Sequence, residues 1–92
     1  MRHHTVISVR VSTTAGRIKF IANKAYDGII LPPLGATVTM SDHGFAIVSV
    51  DWDISQNVAR IILEPIALDE EEVAPFRREW ELWGGEIDDA YP

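Results

Sequence analysis

Any chemistry in this chain would have to come from three histidines, two closely spaced aspartates and a short run of cations. His3 and His4 are adjacent in an alternating segment, so they face opposite sides and do not easily chelate one metal ion. Asp42-His43 falls in a turn ending at Gly44, where aspartate is favoured for turn hydrogen bonding whatever the function. A catalytic or metal role for His43 would need a concave setting, which a projecting turn does not provide. Asp51 and Asp53 lie two apart on one strand, so both carboxylates leave the same face. Such a pair is half of a divalent-cation site or of a glycosidase-type acid pair. No third acid stands at a matching position, and with Arg60 the pair reads as a solvated outer face that resists aggregation. No phosphate loop, nucleophile elbow, zinc-protease or dinucleotide-binding string occurs. The chain has no cysteine, which excludes thiolate zinc sites, disulfide frameworks and a cysteine nucleophile. No catalytic, cofactor-binding or metal-ligating residue is assigned, and the expectation is a non-enzyme without a cofactor.

A second chemistry, nucleic-acid binding, would rest on Arg10, Arg17 and Lys19, which share the outer face of the first hairpin. The stacking aromatics such a surface needs are missing there, because Phe20 points inward by the alternation and only Tyr26 is close. The net charge of −6 also opposes binding to a phosphate backbone. At the other end, Asp88-Asp89-Ala90-Tyr91-Pro92 resembles the tips of single-stranded-DNA-binding proteins, in residue types though not in their order. That resemblance implies a tail that recruits partners or competes with nucleic acid. A small nucleic-acid-binding barrel with such a tail is the alternative reading.

The elements that must position these residues fall into two regions. Residues 1–68 carry six Lys/Arg against five acids, and residues 69–92 carry two against nine. A near-neutral body is therefore followed by an acidic tail, and the hydrophobic period changes at the same boundary. At 92 residues, with 47% apolar and 24% charged residues, the chain is one soluble domain with a single core. No apolar run approaches the ~20 residues of a membrane span, and a cytoplasmic location with no membrane partner is expected.

In the body, Thr5, Ile7, Val9 and Val11 alternate with Val6, Ser8, Arg10 and Ser12. After Thr13-Thr14-Ala15-Gly16 the alternation resumes, with Ile18, Phe20 and Ala22 on one face, which predicts a hairpin. Ile29-Ile30-Leu31 is ended by Pro32-Pro33 and is at best a short edge strand. Val38 and Met40 share a face, as do Ala46, Val48, Val50, Trp52 and Ile54. A three-residue loop, Asp42-His43-Gly44, would pair Met40 with Ala46 and put Gly44 at positive φ. A turn at Gln56-Asn57 would set Ala59, Ile61 and Leu63 opposite Ile54, Trp52 and Val50, with Asp53 facing Arg60. The inward set predicts a strongly bent five-stranded antiparallel sheet or small barrel, mainly β with a C-terminal helix. In size and strand count this outline resembles an SH3-like or OB-like barrel, without a signature residue of either family.

In the tail, Asp69 is a helix N-cap and Glu72 completes a capping-box pair. Val73, Phe76, Trp80 and Trp83 follow at spacings of three and four, one stripe of a helix that Gly84-Gly85 stops. Pro75 either starts a second helix or kinks a single one. The stripe closes one end of the barrel, docks on another chain, or does both in a tail-exchanging dimer. The expected function is a non-catalytic protein–protein interaction module, homo-oligomeric or bound to a protein partner. Its candidate contact residues are Val73, Phe76, Trp80, Trp83 and Tyr91. A small ligand-binding barrel or enzyme is the third reading.

Overall fold

The computed structural model describes residues 4–40 and 43–89. His3, Asp42, Tyr91 and the side chain of Met40 lie outside the described part. The chain runs β1 (Thr5–Thr13), β2 (Lys19–Tyr26), β3 (Thr37–Met40), β4 (His43–Asp53), β5 (Val58–Leu63), β6 (Ile66–Leu68), α1 (Glu70–Leu82) and β7 (Glu86–Asp88). It is mainly β with one C-terminal helix. The sheet is seven-stranded, mixed and open, in the order β3-β4-β5-β1-β2-β7, with β6 alongside β1. It does not close into a barrel, and this corrects the expectation of a five-stranded antiparallel sheet or SH3-like or OB-like barrel. The reason is the placement of β1. It sits in the middle, antiparallel to β2 on one side and parallel to β5 and then β6 on the other. Three strands therefore extend one way and two the other, and the edges β3 and β7 never meet.

The first hairpin follows the alternation. Val11 lies opposite Phe20 and Val9 opposite Ala22, so their apolar side chains share the face on which α1 packs. Thr13 closes the turn: its hydroxyl oxygen accepts the N–H groups of Arg17 and Ile18 at 3.1 and 3.2 Å. Ile18, expected inside, is 37% exposed because it lies in the connection just before β2, at the sheet's end. Between Ser8–Ile62 and Val11–Ile66 the parallel pairing gains one residue on the β5–β6 side, at Glu64-Pro65. That insertion reverses the alternation, so Ala59, Ile61 and Leu63 face inward on β5 and Leu68 does so on β6.

β4 departs most from expectation. Its ladder with β3 pairs Met40 with His43 and Val38 with Phe45, not Met40 with Ala46. Gly44 is thus inside a strand, without positive φ. The larger side chains decide this register, because Phe45 and Ile47 become buried where the shorter Ala46 would have left space. A bulge at Val48 then shifts the alternation, and Val50 and Trp52 lie opposite Ile61 and Ala59. Asp51, rather than Asp53, is directly across from Arg60, yet the guanidinium lies 4.0 Å from Asp51 and 3.9 Å from Asp53.

Helix α1 crosses the inner face of β1 and β2. The Glu72 carboxylate accepts the Asp69 N–H at 2.9 Å, as a capping box requires. The helix runs unbroken through Pro75, so a second helix does not start there. At its C-terminus Gly84, at φ 86°, and Gly85 donate to the carbonyls of Glu81 and Trp80, both at 3.0 Å. These are the two bonds of a Schellman motif. The chain then returns to the sheet as β7, and Arg77 grips Asp89 with two bonds of 2.8 and 2.9 Å while its guanidinium covers the Phe20 ring. Residues 27–36 connect β2 to β3, and Ala36 at their end packs against the core. Their path is pinned where Thr5 donates its hydroxyl to the Gly28 carbonyl (2.6 Å) and accepts the Ile30 N–H (3.0 Å). This segment is not the short edge strand that its apolar run allowed.

Candidate interaction surface

The helical stripe faces its own sheet. Val73, Phe76 and Trp80 are buried in the core, with the Phe76 ring 6.1 Å from Phe20 and 5.9 Å from Trp80. Trp83 is half-buried at the edge of this cluster, 6.3 Å from Trp80. The three buried members are therefore occupied by intrachain packing. Of the cations of the first hairpin, Arg10 and Lys19 come together and line one shallow hollow with Ser12, whereas Arg17 stands apart. Arg10 and Lys19 lie on the outer face of the sheet, while Arg17 sits in the turn, 3.9 Å from Glu70. On that face Arg10, Ile21 and Asp88 follow one another across β1, β2 and β7, so base and acid stand on either side of Ile21. Arg10, Ile21 and Asp88, with Ser8, Asn23 and Ile62, line a hollow of about 360 Å³ there.

The polar groups singled out for catalysis also have structural partners. His4 Nδ1 lies 3.0 Å from the Asn57 carbonyl, at the turn between β4 and β5. The His43 ring lies tilted beside Phe45, with ring centroids 6.3 Å apart. Asp53 accepts the Ser55 hydroxyl at 2.6 Å and the Gln56 N–H at 3.3 Å. These bonds, the Ser55 hydroxyl foremost and Arg60 in addition, hold its carboxyl below the usual range. Among the described residues no three His, Asp or Glu side chains are grouped to hold a metal ion. No helix among them is long and apolar enough to cross a membrane.

Besides single exposed side chains such as Leu34 and Leu82, the structure leaves the second half of β4 uncovered. The first half is paired with β3, and this pairing ends at Ile47, which donates to Ala36 at 2.9 Å and accepts from Gly35 at 3.1 Å. Beyond it, β4 has β5 on one side and no described strand on the other. The direction of its backbone groups follows from one bond. Ala59 donates its N–H to the His4 carbonyl at 2.7 Å, toward β1 and away from β4. Its opposite number, Trp52, is thus in a non-hydrogen-bonded pair. Trp52, and Val50 two residues before it, turn their own N–H and C=O into the open edge. No described residue accepts or donates there.

Apolar side chains flank this edge. Val48 is 51% exposed, Trp52 47% and Ile54 76%, while Val50 is half-buried against the core. These were expected in the core. Val48, Val50 and Trp52 lie along a strand of 11 residues whose partner β5 has six, and Ile54 opens the turn that follows it. A helix of 13 residues is about 20 Å long and covers only part of so wide a sheet. The signal available in the sequence was Asp51 and Asp53, charges interleaved with the apolar positions as on an edge strand. Searches for a matching protein family, for similar curated proteins and for similar solved structures find none for this chain.

Proposed function

We propose that the protein is a non-catalytic protein–protein interaction module that receives its partner along the second half of β4. One observation carries this reading: Val48, Trp52 and Ile54 stay roughly half exposed or more beside a strand edge that no described residue pairs. Large apolar side chains clustered next to unsatisfied backbone groups are unfavourable in water and favourable in an interface. A tryptophan with a polar surround is the commonest kind of interface anchor. The acidic helix and tip then act as a solubilising flank rather than as the contact itself.

The test is a selection of peptides from a random display library against the intact protein, followed by calorimetric titration. Selected peptides should lose most of their affinity for a Trp52→Ser, Ile54→Ser double variant that remains folded at the titration temperature. Undiminished binding to that variant would overturn the reading.

A further inference from the structure

The open edge of β4 has a chemistry more specific than apolar exposure. Backbone donors and acceptors point outward at Val50 and Trp52, and between them Asp51 projects from the outer face. Its side chain is 69% exposed, with Arg60 of β5 on its covered side at 4.0 Å. An antiparallel strand that satisfied both outward residues would pair one of its own residues with Val50 and the next but one with Trp52. The residue between those two would stand directly opposite Asp51, in the narrow kind of pair with Cα atoms ~4.5 Å apart.

This geometry selects among occupants. If a second copy of the chain docked edge to edge and used both outward residues, Val50 would pair with Trp52 of the copy, and each Asp51 would face the other. Like charges directly opposite destabilise a strand pair, so the edge is guarded against its own copies. Asp51 is also shared with little surplus base, since Arg60 is divided between it and Asp53 at 3.9 Å. A strand bearing Lys or Arg at the middle position would complete an alternating ladder of cation, Asp51 and Arg60. Resting on the interaction reading above, we propose that β4 binds its partner by strand addition. The occupant is an extended antiparallel segment reading apolar–basic–apolar, its basic residue opposite Asp51 and its apolar residues beside Val50 and Trp52.

The probes are a synthetic peptide Thr-Ile-Lys-Ile-Thr, its counterpart with Glu in place of Lys, and a Lys form N-methylated at both isoleucines. Each is titrated into the isotopically labelled full chain at low salt and followed by amide shifts. The Lys peptide should move the Val50 and Trp52 amides and bind about fivefold more tightly than the Glu peptide. The variant Asp51→Lys should reverse that order, and N-methylation should abolish binding. Equal binding of the Lys and Glu peptides, or full binding of the methylated one, would overturn strand addition. The interaction reading would survive that result if binding still required Trp52. Absence of any shift along β4 with every peptide, together with undiminished binding of library peptides to the Trp52→Ser, Ile54→Ser variant, would overturn both.

Discussion

The indole N–H of Trp80 donates to the backbone carbonyl of Asn23 at 2.9 Å, joining the middle of the helical stripe to the last β2 residue that the β7 ladder reaches. Trp80 has no solvent exposure, so this bond satisfies a buried donor where the helix, β2 and β7 converge. Replacing Trp80 by Phe keeps most of the ring but removes the donor, while the Asn23 carbonyl keeps its place in the β2–β7 ladder. Trp80→Phe should cost ~1–3 kcal/mol and Trp80→Ala ~3–5 kcal/mol in urea unfolding. A cost near zero for Trp80→Phe would mean that the bond contributes nothing.

Gly85 is required by the same indole. A Cβ built there would overlap the Trp80 ring, and the ring has no free space into which to move. Gly85→Ala should therefore destabilise by ~1–3 kcal/mol and change the tryptophan emission spectrum. Gly84→Ala meets only the mobile end of Lys24, and its cost of ~1–2 kcal/mol comes from backbone conformation, with emission unaltered.

Trp52 should behave in the opposite way to Trp80. At 47% exposure it buries only about half its surface, and Trp52→Ser should lower stability by ~1–3 kcal/mol, less than Trp80→Ala. The same substitution should sharply weaken partner binding. A large loss of stability would mean that the indole is packed in solution.

Asp53 sets a dependence on acid. Its folded carboxyl titrates below its ordinary value, because the charged form accepts the Ser55 hydroxyl and the Gln56 N–H. The stability this gives is complete above the unfolded carboxyl range and is lost as pH falls through the lower, folded value. Melting curves of the parent and Asp53→Asn should therefore differ at neutral pH and converge below about pH 4. A constant difference down to strong acid would exclude this origin.

How much of this was legible in the sequence depends on the range of the forces involved. Period-two alternation is local, and it located β1, β2 and β5 with their buried faces. The 3.6-residue period, the Asp69–Glu72 cap and the Gly84-Gly85 stop are local too, and they located the helix and its Val73, Phe76 and Trp80 stripe. β4 could not be read in this way. It carries apolar residues on both phases, Phe45 and Ile47 on one, and Val50 and Trp52 on the other. Only the bulge at Val48, formed when β5 and β3 pair on opposite sides of the strand, reconciles them.

The sequence by itself determined the class, mainly β with a terminal helix, because hydrophobic period acts between near neighbours. Tertiary structure alone decided that β1 joins β5 in parallel, that β6 and β7 form at all, and that the sheet stays open. Those pairings link residues more than fifty positions apart, and nothing local encodes which edge meets which. The candidate site was decided in the same way. An apolar side chain on the inner phase is core where a covering element reaches it and interaction surface where none does. The reach of one 13-residue helix thus separates Trp80, fully buried, from Trp52, half exposed.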